Sequence, residues 1–159
     1  MKCSIAAVTL GWFLVISAVA EPPAPAKIQI AEIRSDANPA KCLSAHLGKA
    51  VEMSLTHARK FKILPGLADS SLVSLEAVGF TGFYVRHQKF VFFLQPRPKQ
   101  LSPLFDSDAT FKMLQLDGDK VRFEASNYPG KFITTRDDGA VILTKDPPLS
   151  QSTFVLKKE

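Results

Sequence analysis

Apolar and polar residues along most of this chain alternate over short stretches, and no run of eleven or more holds a convincing helical period. Residues 70–78 come nearest, but Gly79 interrupts them. Runs such as 51–55, 90–94 and 141–144 are rich in β-branched and aromatic residues and are bounded by turn formers, which predicts strands. Asp117-Gly118 and Asp138-Gly139 are hairpin signals, because glycine accepts the positive φ that such turns need. The stretch 95–103 carries Pro96, Pro98 and Pro103 and therefore reads as a loop rather than a ladder strand.

The first twenty residues are different. Lys2 precedes an apolar run from Ile5 to Ala20 that ends in the small residues Ala18-Val19-Ala20, the pattern of a cleaved secretory signal peptide. The run is too short, and too abruptly followed by Glu21-Pro22-Pro23, for a membrane span. The expected organisation is a signal peptide at 1–20, a flexible N-terminal segment at 21–27 and one domain at 28–159, secreted and without a membrane partner after cleavage.

Self-similarity organises the domain. Leu75-Glu76-Ala77 followed by Gly82-Phe83-Tyr84-Val85 lines up with Phe123-Glu124-Ala125 followed by Gly130-Lys131-Phe132-Ile133. Thr110-Phe111 and Thr153-Phe154 close the two units. A more degenerate copy precedes them: Cys42-Leu43 matches Tyr84-Val85, and Phe61-Lys62-Ile63-Leu64 matches Phe111-Lys112-Met113-Leu114. The repeats fall at about 28–69, 70–118 and 119–159. Three units of about four short strands predict a closed all-β body, since closure removes exposed sheet edges.

Composition narrows the chemistry. Without the first twenty residues the chain keeps one cysteine, Cys42, and no tryptophan, so an intrachain disulfide is excluded. Cys42 lies in an apolar setting that suits a buried small hydrophobe. Nineteen lysines and arginines against fifteen carboxylates leave a net charge of +4, too modest to favour a nucleic-acid partner. Eleven phenylalanines against two tyrosines suit a barrel interior filled by apolar rings. There is no phosphate loop, metal-ligand cluster or nucleophile triad, so neither metal nor cofactor is expected.

The segment Phe61-Lys62-Ile63-Leu64-Pro65-Gly66-Leu67-Ala68, together with Gly82-Phe83-Tyr84-Val85-Arg86-His87, Asp108-Ala109-Thr110-Phe111 and Asn127-Tyr128-Pro129-Gly130-Lys131-Phe132, resembles the arabinose-binding module of fungal α-L-arabinofuranosidase B. The resemblance is strong over 61–135 and weak before 60. It implies a β-trefoil of three degenerate repeats and a secreted, lectin-like carbohydrate-binding module. In that family each competent pocket uses a histidine just after the strand and an aspartate before Ala-Thr-Phe, gripping arabinofuranose side chains of arabinoxylan. A carboxylate accepts hydrogen bonds from neighbouring hydroxyls while imidazole supplies a directional donor or acceptor.

Carried over residue by residue, the pattern leaves one intact pocket, His87 with Asp108. The third unit has Thr135 and Gln151 at the matching positions, and the first has Ala45 and Ala58, with His46 and His57 one residue away. His87 and Asp108 fit either a ligand grip or a structural pair inherited with the fold. Tyr84 fits the core or a sugar platform. Thr135 with Gln151 suits hydrogen bonds to a hydroxylated ligand. Glu76 and Glu124 recur at one place, which predicts a fold role such as bonding the N–H groups of a turn. The resemblance is to an accessory module without its catalytic domain, and no pair of acids suited to glycoside hydrolysis stands out, so no catalysis is expected. Arg86, Lys89, Arg97 and Lys99 suit a solvated face or an anionic glycan. The alternative function is a protein-interaction trefoil, an inhibitor or signalling ligand, favoured by the Pro-rich loop.

Overall fold

The alternating pattern is realised as twelve strands and two short helices over residues 28–159, which a computed structural model describes. The expected signal peptide (1–20) and the segment 21–27 lie outside the described residues. The first four strands are β1 (Gln29–Ser35), β2 (Cys42–Ser44), β3 (Glu52–Ser54) and β4 (Lys60–Pro65). The next four are β5 (Val73–Ala77), β6 (Phe83–Gln88), β7 (Val91–Pro96) and β8 (Phe111–Gln115). The last four are β9 (Lys120–Ala125), β10 (Lys131–Thr135), β11 (Val141–Lys145) and β12 (Phe154–Lys158).

First and fourth strands of each set pair in the ring β1-β4-β5-β8-β9-β12, and β12 returns to β1. The inner strands form the hairpins β2–β3, β6–β7 and β10–β11. These hairpins meet one another through Ile142 opposite Val91, Ala50 opposite Phe93 and Glu52 opposite Ala140, capping one end of the barrel. The fold is a β-trefoil.

Barrel closure rests on a repeated size match. Phe61 lies between Ala31 and Ala77 on the flanking strands, Phe111 between Val73 and Ala125, and Phe154 between Val121 and Ser35. All three rings are fully buried. A small residue beside each ring leaves the volume it fills, so the interior reaches solid-like packing without strain. Phe92 and Phe123 extend the same core, their rings lying 6.0 Å from Phe111 and 6.1 Å from Phe154.

Turn chemistry repeats as well. Glu76 Oε1 accepts from the Gly82 N–H at 2.7 Å, and Glu124 Oε1 accepts from the Gly130 N–H at 2.6 Å. Both glycines hold φ of +82°. The first unit has Arg34 at this place, opposite Cys42 as Glu76 is opposite Tyr84 and Glu124 opposite Phe132. Arg34 donates to the Pro39 carbonyl at 2.8 Å, so the polarity of the side chain and of the turn group have exchanged together.

Two sequence motifs meet in space. Gly66 stands where a Cβ would come within 2.5 Å of the Asp69 carbonyl oxygen and 2.7 Å of Thr110 Cγ2. The adjoining Ala68 N–H donates to Thr110 Oγ1 at 3.0 Å, and Ser74 Oγ donates to the Ala109 carbonyl at 2.7 Å. The segment Pro65-Gly66-Leu67-Ala68 is thus locked onto Ala109-Thr110.

The sequence did not foreshadow the helices α1 (Pro103–Asp108) and α2 (Leu149–Ser152), which are too short to show a period. Nor does β7 stop before its proline: Pro96 is its last residue, opposite Phe83, where a missing N–H interrupts no ladder.

Phe111→Ala is expected to lower stability by about 3–5 kcal/mol in chemical denaturation, the range for a buried ring leaving a cavity. Gly66→Ala is expected to lose about 1–3 kcal/mol through overpacking against backbone. An unchanged midpoint for either would show that these contacts do not hold the barrel.

Candidate functional site

Three elements from two units converge beside the middle hairpin. Strand β6 supplies Arg86 and His87, helix α1 supplies Asp108 at its last turn, and the β9–β10 turn supplies Asn127 and Tyr128. The local sequence explains α1: Ser102 caps it by accepting from the Phe105 N–H at 3.4 Å, and Pro103 starts it with φ already set. The helix packs on the outward face of β6 with Phe105 buried beneath it and the Arg86 guanidinium 5.0 Å from that ring. Two of its carboxylates fasten it: Asp106 takes a two-pronged bond from Arg97 at 2.9 and 2.8 Å, and Asp108 Oδ2 accepts from Arg86 at 3.2 Å.

Asp108 Oδ1 accepts from Asn127 Nδ2 at 2.8 Å, while Asn127 Oδ1 lies 3.0 Å from His87 Nε2. The directions follow from the carboxylate. It can only accept, so the amide points its NH2 toward Asp108 and its oxygen toward the imidazole, which makes His87 Nε2 the protonated nitrogen. The same nitrogen lies 3.5 Å from Asp108 Oδ1. A neutral His87 therefore keeps a lone pair at Nδ1. His87 and Asp108 are both buried, at 3% and 5% exposure, so only their edges reach solvent.

They reach it at the floor of a cleft of about 800 Å³ that also takes in Arg86, Lys89, Phe90, Leu104 and Tyr128. Phe90 and Tyr128 are exposed large rings, 5.4 Å apart and edge to face, and the His87 ring is 5.4 Å from Tyr128. Lys131 holds its ammonium 4.1 Å above the Phe90 ring, a cation–π contact that stiffens this wall. The result is an apolar wall beside a floor of fixed hydrogen-bonding groups, the general form of a small-molecule site.

Tyr84 does not line this cleft. Burial first, and then the nearby Glu76 carboxylate, raise its phenol above the ordinary tyrosine range. Thr135 and Gln151 border a second, smaller cleft of about 280 Å³, where Thr135 Oγ1 donates to the Gln151 carbonyl at 3.1 Å. In the first unit Ala45 is buried and Ala58 exposed, and the Ala45 carbonyl accepts from Arg59 at 2.7 Å. His46 and His57 lie with ring centroids 5.6 Å apart, away from the middle cleft.

Asn127, Phe90 and Tyr128 escaped the sequence reading as site residues, and Arg86 entered it only as part of a basic face suited to solvent or an anionic glycan. Asn127-Tyr128-Pro129-Gly130 has the composition of a turn, and its reach into another unit leaves no local mark. Among the described residues no group of three or more His, Cys, Asp or Glu is placed to hold a metal, and no helix is long and apolar enough to cross a membrane.

Asp108→Leu is expected to cost about 3 kcal/mol, because it strands the Arg86 charge among apolar neighbours. The double variant Arg86→Met/Asp108→Leu is expected to recover much of that loss in urea titrations. Equal loss in the two proteins would show that the pair is not coupled.

Comparison with curated proteins finds no significant match. Among solved structures, an arabinofuranosidase complexed with arabinofuranosyl-α-1,2-xylobiose is similar at 18% identity and a TM-score of 0.72, covering 86% of this chain and 32% of that one. A glycoside hydrolase family 54 α-L-arabinofuranosidase soaked with a cyclic sulfate inhibitor gives 18% identity, a TM-score of 0.72 and coverage of 90% and 34%. Chicken interleukin-1β has 17% identity, a TM-score of 0.64 and coverage of 82% and 96%. At these identities the likeness is one of fold, and the chain spans about a third of the length of the arabinofuranosidases it matches. The profile of the Alpha-L-arabinofuranosidase B (ABFB) domain aligns with residues 35–154, from the end of the first strand to the last closing phenylalanine and well over half of the sequence; the chain belongs to that domain family.

Proposed function

We propose that this protein is a secreted carbohydrate-binding module that seats an arabinofuranose-like sugar in the cleft of its middle unit and does not itself catalyse. The proposal includes removal of residues 1–20 as a signal peptide and a domain beginning near residue 28. The single observation that carries it is the linked floor of His87, Asn127, Asp108 and Arg86 beneath the exposed rings of Phe90 and Tyr128. A sugar hydroxyl donates to His87 Nδ1 and another accepts from an unused N–H of Arg86. Asp108 retains lone pairs beyond the two bonds it already accepts, enough for a further hydroxyl. The C–H face of the ring covers Tyr128 and Phe90. The arabinofuranosyl-xylobiose bound by a similar enzyme supports this ligand class.

Because the floor is ordered before the ligand arrives, little further ordering opposes binding. One shallow site with few hydrogen bonds nevertheless gives weak affinity, with Kd on the order of 1 mM. Thr135 and Gln151 offer a lesser polar site in the third unit. The alanines of the first unit offer none, so binding is essentially monovalent. A second function, docking to a protein, is favoured by the exposed Leu101 and Leu104, on and beside α1.

Titration with arabinose and arabinose-substituted xylo-oligosaccharides, followed by amide shifts in NMR, is expected to give saturable changes centred on residues 86–90 and 127–128. Tyr128→Ala, a substitution at an exposed position, is expected to weaken binding by about 1 kcal/mol, or severalfold, with the fold intact. Saturable binding unaffected by Tyr128→Ala and by His87→Ala would move the site elsewhere.

A further inference from the structure

The β6–β7 hairpin reverses through two residues, Lys89 and Phe90, held at φ of +49° and +68° between Gln88 and Val91. Successive left-handed residues make the primed turn that suits a twisted hairpin, and Asn-Gly is its usual occupant because both tolerate positive φ. Lysine and phenylalanine do not, since their Cβ atoms crowd the following carbonyl. Among the described residues only one other non-glycine residue, Asp146, has positive φ. The corresponding turn of the third unit uses Gly139 at +88°. Strain of this kind persists where the surrounding structure enforces it, and it concentrates at ligand clamps.

Both strained side chains border the cleft. Phe90 forms its aromatic wall. Lys89 has no carboxylate within ion-pair distance among the described residues. The cleft also holds more cations than carboxylates. Both Asp108 oxygens already accept protein bonds, while Arg86 Nε is buried without a partner. Arg86, Lys89 and the nearby Lys131 outnumber the one carboxylate.

The geometry points to an acidic glycan as the ligand. Resting on the reading of this cleft as a sugar site, the sugar against Phe90 and Tyr128 carries or adjoins a carboxylate or sulfate, which pairs with Lys89 and with the unused N–H groups of Arg86. The left-handed tip is then the device that brings Lys89 and Phe90 to opposite ends of one ligand: charge at one end, apolar face at the other.

Three xylo-oligosaccharides of equal length test this: one neutral and arabinose-substituted, one bearing a glucuronate and one bearing a sulfate, each titrated by NMR. At low salt an acidic oligosaccharide is expected to bind about fivefold tighter than the neutral one, as a partly exposed ion pair gives. That advantage is expected to shrink at high salt. The two acidic arms identify which anion is taken. Lys89→Asn, which suits positive φ, is expected to melt no lower than the parent while its acidic-to-neutral preference falls to near one. Lys89→Arg is expected to keep the preference. Neutral and acidic ligands bound equally, with binding lost in Tyr128→Ala, would overturn the acidic specificity and leave the sugar site standing. Silence toward all three would overturn both.

Discussion

A trefoil unit has no edge of its own to close. Its fourth strand must pair with the first strand of the next unit, and the third unit must return to the first, before any strand of the barrel is satisfied on both sides. In this protein that closure depends on one recurring fit, a phenylalanine of the fourth strand seated beside a small residue on at least one of its two neighbours. The other features of the molecule are hung on that frame. The hairpins cap it, and the loops before each closing strand are free to vary, which is where α1 and α2 appear.

The middle cleft exploits that freedom. Helix α1 turns a Pro-rich excursion into a rigid shelf, held by Arg97 to Asp106 on one side and by Arg86 to Asp108 on the other. Burial of Asp108 and Arg86 would be unfavourable for either alone; together, with Asn127 joined to Asp108, they form a linked group whose hydrogen-bond directions are fixed. His87 inherits its orientation and its protonated nitrogen from that group. The cleft is therefore built from two units, since Asn127 and Tyr128 belong to the third and the rest to the second.

Degeneration of the repeat has a physical pattern. The closing positions 61, 111 and 154 remain phenylalanine in all three units, whereas positions facing the clefts differ in each. Where a change occurs in the frame it is matched nearby: Arg34 replaces the glutamate of the other units, and the turn presents a carbonyl in place of an N–H. At the cleft positions, by contrast, alanines in the first unit and Thr135 with Gln151 in the third have no such counterpart to restore the middle unit's chemistry.

The strand-forming runs, the glycine turns, the closing phenylalanines and the role of Glu76 and Glu124 were legible in the sequence because each is set by local backbone preference or by spacing within a repeat. His87 and Asp108 were legible as a pair through the family pattern. Their companions were not. Asn127 reads locally as a turn residue, Arg86 and Lys89 as a basic face suited to solvent or an anionic glycan, and Phe90 as the start of a strand. Periodicity records which face of an element is buried, but it carries no information on which turn of another unit will arrive opposite. Tertiary closure alone decided that Asn127 bridges His87 and Asp108, and that a hairpin tip would be held left-handed over a cleft, because those contacts join residues far apart in the chain whose geometry exists only once the barrel has shut.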